Sequence, residues 1–217
     1  MLEIKSFVCN PFQENCYVVS DETKEAVIVD CGAFYKEERK AIVGYIRDNG
    51  LTPKHLIATH AHIDHNFGNN TIYDEFRLSP EVFYKDEYLM GKLYEQAVNF
   101  CNYHLDYEMS QSIKYLHETD TIVFGNHEFT IIPTPGHTPG SVFYYCKEEG
   151  LAFSGDTLFR MSIGRTDFEL GSYADIQKSL ADVTSRLPLS TTILAGHGPS
   201  TTIEDEVRMN PFIERKM

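Results

Sequence analysis

Three imidazoles and a carboxylate fall within six residues of this chain, at His60, His62, Asp64 and His65. Farther on, His137 follows Pro135 and Gly136, Asp156 follows Gly155, and His197 lies between Gly196 and Gly198. Side chains two apart on extended chain project to the same side, so His60 and His62 can grip one cation. Asp64 and His65 sit where the chain turns and can face a second cation beside the first. His137 would complete the first site and His197 the second. Two adjacent cations need a bridging anion, and Asp156 is the candidate. Each cation would keep a position open for water, the arrangement of a catalytic rather than a structural site. Zinc is the expected ion, and nitrogen and oxygen donors also suit iron or manganese.

A lone histidine is ordinarily a hydrogen-bonded core or surface residue. His55, His104, His117 and His127 lack ligand-like company and are read that way. The clustered set is different, because so many donors packed together are electrostatically wasteful without a cation. Such ions would bring the pKa of a water down to about 7 and so create a nucleophile. Asp64, beside its ligand role, would orient that water.

The elements that must position these residues are short and grouped. Strand-like runs cover Glu3 to Val8, Asn15 to Val19 and Glu25 to Asp30, separated by turn residues such as Asn10-Pro11 and Ser20-Asp21-Glu22. Phe34 to Asn49 has helical spacing, with Ile42, Val43 and Ile46 on one face and Gly50 as a stop. Leu56 to Thr59 is a strand that runs into the histidine cluster. Further strands are expected at Ile122–Phe124, Phe129–Pro133, Val142–Tyr145, Leu151–Ser154 and Thr192–Ala195, with helices at Tyr173–Arg186 and Thr202–Met209. Strands in groups with helices interspersed predict two packed sheets with helices outside, an α+β arrangement and not a doubly wound sheet. The segment from Asp86 to Tyr115 reads as helical and carries Tyr88, Tyr94, Phe100, Asn102, Tyr103 and Tyr107. It is either an aromatic surface helix or a cover over a cleft.

At 217 residues with no linker, low-complexity stretch or internal period, residues 1–217 are expected to form one domain. The formal net charge of −13 argues against nucleic acid or an acidic membrane as partner. The five cysteines are scattered singly, as free thiols in a reducing compartment would be. The N-terminus lacks a charged leader followed by an apolar block, and no run reaches the roughly 18 apolar residues of a membrane span. A soluble, cytoplasmic protein acting on a small molecule is expected, with oligomeric state unreadable.

The H-x-H-x-D-H segment followed by isolated His137, Asp156 and His197 resembles the metallo-β-lactamase superfamily over essentially the whole chain. That resemblance implies a four-layer αβ/βα sandwich with metals at one edge. Asp30, closing the run Val27-Ile28-Val29, matches the family's early aspartate and would orient the metal loop from behind. The stretches Gly155–Asp167 and Gly196–Thr202 are similar to those of glyoxalase II-type thioesterases, in their short form. The longer members have a C-terminal helical region that contacts glutathione, whereas only residues 198–217 follow His197 here. Their carboxylate-binding lysine is replaced by Arg165, and Asp167 stands where they have a tyrosine. Arg165, with Arg160, would then hold a substrate carboxylate, although either arginine could equally form a surface ion pair.

The resemblance thus implies hydrolysis of S-acylglutathione or a related thioester, whose thiolate leaves with a pKa of about 8.5 and needs no dedicated acid. A mononuclear iron persulfide dioxygenase using His60 and His62, or a lactonase or other ester hydrolase, would keep the same fold. A metal-binding module without catalysis is the reading from a different class.

Overall fold

The structure is a computed structural model that describes residues 1–105 and 112–213. The chain opens with three antiparallel strands, β1 (Glu3–Cys9), β2 (Glu14–Ser20) and β3 (Glu25–Val29). Helix α1 (Lys36–Asp48) crosses over to β4 (Thr52–Ala58), which pairs parallel with β3. Helix α2 (Asn69–Phe76) leads to β5 (Pro80–Phe83), and short helices α3 (Glu87–Met90) and α4 (Leu93–Cys101) precede β6 (Lys114–Leu116). The first sheet runs β1-β2-β3-β4-β5-β6, antiparallel in its first half and parallel in its second.

A second sheet follows from β7 (Thr121–Phe124), β8 (His127–Pro133), β9 (Val142–Cys146) and β10 (Leu151–Gly155). A small hairpin, β11 (Leu158–Phe159) with β12 (Ser162–Ile163), interrupts the chain before helix α5 (Tyr173–Arg186). Strand β13 (Thr192–Ala195) then pairs parallel with β10, and β14 (Thr201–Thr202) and helix α6 (Ile203–Met209) end the described fold. The sheet order is β14-β13-β10-β9-β8-β7.

The layering follows from the period of two in the strands. Val27 and Val29 of β3 turn toward the second sheet and meet Phe124, Phe129, Tyr144 and Phe153. Ala26 and Ile28 of the same strand turn the other way, under Ile42 and Ile46 of α1 and Ile72 of α2. The second sheet repeats this division. Ile131 and Tyr144 face the first sheet, while Ile132, Phe143 and Ile193 lie under Leu180 and Val183 of α5 and Ile203 of α6. Both faces of each sheet are therefore covered, giving helix, sheet, sheet and helix as four layers. Each fully buried aliphatic or aromatic side chain contributes about 1.5–3 kcal/mol to that packing.

Helix starts obey local chemistry. Glu38 accepts from the backbone N–H groups of Phe34 and Tyr35 through one oxygen, at 2.8 and 2.9 Å, so α1 begins at Lys36 and not at Phe34. Ser172 and Thr202 cap α5 and α6 by accepting from the backbone N–H groups of Asp175 and Asp205.

The expected single helix across Asp86–Tyr115 is not what forms. It breaks into α3 and α4 around Gly91 and Lys92, and α4 ends where Asn102 takes a left-handed backbone with φ of 49°. Lys114 to Leu116 is strand, pairing with β5. Tyr107 lies outside the described residues, as do its neighbours from 106 to 111. Among the described residues no helix is long and apolar enough to cross a membrane.

Candidate metal centre

Every residue expected to bind metal sits on a loop or turn just past the end of a strand. His60, His62, Asp64 and His65 follow β4, His137 follows β8, Asp156 follows β10, and His197 follows β13. The two sheets deliver these loops to one edge. Gly155 and Gly196 allow the approach. Gly155 has φ of 48°, and a Cβ there would run into Thr59. A Cβ on Gly196 would lie 2.5 Å from Asp156 Oδ1 and 2.6 Å from His65 Cε1.

The seven side chains come together in overlapping groups. The donor atoms of His60, His62 and His137 lie within 4.8 Å of one another, as do those of Asp64, His65 and His197. Asp156 joins them: its Oδ1 is 3.3 Å from His65 Nε2, and its Oδ2 is 3.6 Å from His137 Nε2 and 3.5 Å from His197 Nε2. His62 Nδ1 and His137 Nε2 lie 2.8 Å apart, within hydrogen-bond distance.

The outer nitrogens are fixed by the protein. His137 Nδ1–H donates to the backbone carbonyl of Arg165 at 2.7 Å, and His197 Nδ1–H to that of Phe12 at 3.0 Å. Each bond fixes Nδ1 as a donor and turns Nε2 toward the cluster. Asp30 has φ of 52°, a backbone state rare outside glycine. Its carboxylate accepts from Thr59 N and Thr59 Oγ1, both at 2.7 Å, and its Oδ2 lies 3.1 Å from His65 Nδ1.

The residues fit a divalent cation on three counts. His60 Nε2, His65 Nε2 and Asp156 Oδ1 are buried without a hydrogen-bond partner, a costly state that a metal would relieve. Burial, reinforced by the neighbouring imidazoles, holds His60 well below its ordinary pKa and takes His62 down to about 3, so both present lone pairs. Burial opposes ionisation of Asp156, yet His65, His197 and His137 around it keep it ionised far below the usual carboxylate range. This His/Asp cluster has the donor chemistry of a divalent-metal site.

Several residues that sequence reasoning passed over build the frame. Asp86 is fully buried and accepts from Ala61 N at 2.9 Å, Thr138 Oγ1 at 2.7 Å and Gly140 N at 2.6 Å. It therefore ties the histidine loop to the His137 loop. Gln96 on α4 accepts from Ile63 N at 2.9 Å and donates to Ala61 O and Leu89 O at 3.0 Å each. Asn66 donates to the carbonyls of His60 and His62, and Asn15 to those of Ala195 and Gly198. Glu14 is buried against Asp30 and His65 with both oxygens unpartnered, and burial above all raises its pKa well beyond the ordinary. Each is a single polar residue whose partners lie elsewhere in the fold, so its role is not marked by the sequence pattern.

The cavity over the cluster is lined by Phe12, His62, Ile63, Asp64, Phe100, His137, Asp156, Arg165 and Phe168. Phe100 of the aromatic segment therefore does face the site. Arg165 reaches the lining while paired to Asp167, whereas Arg160 is exposed and not among the lining residues. The remaining histidines stand apart from the cluster. His55 bonds Glu81 at 2.6 Å, His127 is buried between Asp21 and Glu149, His117 stacks on Tyr84, and His104 lies 3.4 Å from Tyr94 Oη.

Comparison with known proteins agrees with the geometry. The family model described as the Metallo-beta-lactamase superfamily matches residues 9–197. Hydroxyacylglutathione hydrolase GloC of Haemophilus influenzae is 34% identical, over 99% of this chain and 100% of that protein. The crystal structure of BLEG-1 B3 metallo-beta-lactamase superposes with a TM-score of 0.86 at 32% identity, covering 97% of this chain and 99% of that one. TTHA1623 in a di-iron-bound form gives a TM-score of 0.85 at 30% identity, covering 96% and 100%. By its sheets, its histidine and aspartate cluster and its sequence, this chain belongs to the metallo-beta-lactamase superfamily.

Proposed function

We propose that the chain is a two-metal hydrolase that cleaves S-acylglutathione or related thioesters. His60, His62 and His137 would hold one cation, Asp64, His65 and His197 the other, and Asp156 would bridge them. The observation that carries this reading is the placement of Asp156, with one oxygen toward His65 and the other toward His137 and His197. Zinc is the proposed ion, and iron is the alternative that the di-iron-bound relative supports. Held there, the cations would supply Lewis acidity and draw a nucleophile from water at neutral pH.

The chain's own residues do the rest. Asp64 lines the cavity, and its carboxylate would accept a hydrogen bond from an attacking water and so orient it. The Arg165 carbonyl and Asp30 hold the imidazoles and the metal loop still, so little reorganisation accompanies the reaction. Phe12, Phe100 and Phe168 give the mouth an aromatic lining. Among the described lining residues none is placed as an obvious proton donor to a leaving group. A thiolate, with a pKa of about 8.5, departs without one, which favours a thioester over an amide or alkyl ester. The likeness to the hydroxyacylglutathione hydrolase supports the same choice. Buried free thiols at Cys9, Cys16, Cys31 and Cys146 suit a reducing cytoplasm.

The test is metal content per chain measured alongside hydrolysis of S-lactoylglutathione and of N-acetylcysteamine thioesters. Two equivalents of metal with thioester turnover are expected. Oxygen uptake with glutathione persulfide, at one equivalent of iron and without thioester cleavage, would replace this reading with the persulfide dioxygenase.

A further inference from the structure

The cavity above the cluster holds about 210 Å³, and Phe12, Phe100 and Phe168 form its wall. Phe12 and Phe100 leave 44% and 47% of their surface exposed, apolar area that a bound apolar group would cover. Phe168 stands edge-on to His62 with centroids 5.4 Å apart and tilts against Phe100 at 5.4 Å. The aromatic wall thus runs up to His62, beside which a reacting carbonyl would lie. An apolar cavity of about 150 Å³ accommodates benzene, so this space suits one ring or a branched alkyl group beside a thioester.

Among the described lining residues Arg165 is the sole arginine or lysine. Its Nε and one terminal nitrogen both donate to Asp167, at 2.9 Å each. The guanidinium also lies over the Phe168 ring, 4.2 Å from its centre. A forked pair closed over only two residues, with the cation stacked on a ring, occupies one edge of the guanidinium before any substrate arrives. The nearby Lys92 is likewise engaged, with Glu95 at 3.6 Å and Glu169 at 3.9 Å.

We propose that the site selects thioesters with a compact, apolar, uncharged acyl group, and that Asp167 sets this preference by denying Arg165 to a substrate carboxylate. This rests on the thioesterase reading, and binding and cleavage test the two separately. The probes are two N-acetylcysteamine thioethers, S-(2-phenylethyl) and S-(3-carboxypropyl), in which a methylene replaces the thioester carbonyl. Calorimetry on the metal-loaded protein should show the phenylethyl probe binding about tenfold more tightly, the worth of one well-placed aromatic contact. Phe100→Ala should weaken that probe about fivefold. Asp167→Asn, at an exposed position, should tighten the carboxypropyl probe about fivefold and leave the phenylethyl probe unchanged.

Equal binding of the two probes, no binding of either, or an Asp167→Asn variant that still disfavours the carboxylate to the same degree would overturn the proposal. The matching phenylacetyl and succinyl thioesters are assayed in parallel. A kept binding preference with neither thioester cleaved would sink the thioesterase reading and leave the selectivity standing. Cleavage of both at equal kcat/KM would do the reverse.

Discussion

Asp86 accepts the Thr138 hydroxyl hydrogen bond at 2.7 Å while the same oxygen takes the Ala61 backbone N–H at 2.9 Å. One buried carboxylate oxygen therefore joins two loops of the histidine cluster that are 77 positions apart at those contacts. Asp86→Ala should loosen both loops and lower metal affinity about 10–100-fold, the usual effect of losing a residue that orients ligands. Metal retained after dialysis against a graded chelator series checks this. Asp86→Asn keeps an acceptor oxygen and should lose less.

His137→Ala and Asp156→Ala each remove a donor that faces both neighbours in the cluster. Both variants should lose thioesterase activity by at least about 1,000-fold while circular dichroism shows the fold intact. Activity within tenfold of the parent would remove these residues from the reaction.

A methyl group at position 196 has nowhere to go, because Asp156 and His65 already occupy the space. Gly196→Ala should therefore push the carboxylate off its position and cost metal affinity about tenfold or more, with a smaller change in melting temperature. Titration with zinc in the presence of a competing chromophoric chelator gives the number.

His127 provides a pH signature far from the metal cluster. Burial opposes its charge, but hydrogen bonds from its ring to Asp21 at 3.0 Å and Glu149 at 3.1 Å win and raise its pKa. Burial also opposes ionisation of Asp21, whose pKa is nevertheless lowered by the Asn126 N–H, Thr23 and His127. Glu149 is lowered by His127 first, with the N-terminal amine assisting. The His127 contribution is complete below its unfolded pKa of about 6.5 and is lost as pH rises through the higher folded value. The carboxylate contributions are complete above about pH 4.3 and are lost as pH falls through their lowered folded values. Between those limits His127→Gln should cost about 2 kcal/mol, the worth of hydrogen bonds to charged groups. Melting temperatures of parent and variant, compared from about pH 5 to 9, should converge at the alkaline end.

Where the sequence pattern was readable, the reason was punctuation. Each candidate ligand follows an apolar run, and His137, Asp156 and His197 also adjoin glycine, so strand ends and the candidate metal loops announced themselves together. Helices α1 and α5 were legible because Ile42, Val43 and Ile46, and Ile176, Leu180 and Val183, keep a helical spacing on one buried face. Helix α2 was not, since its buried positions are only Asn69 and Ile72. Strand β5 begins on a proline and includes Glu81, so four buried residues gave no strand signal. Asp86, Gln96 and Glu14 owe their significance to partners distant in the chain, which a single sequence cannot display.

The bond that steadies His137 ends on the backbone carbonyl of Arg165, not on its side chain. Any residue at that position offers the same acceptor. Evolution, or an engineer, can thus rewrite what the mouth of this site recognises at residue 165 without retuning the imidazole behind it, and related chains could diverge in diet while keeping one hydrolytic engine.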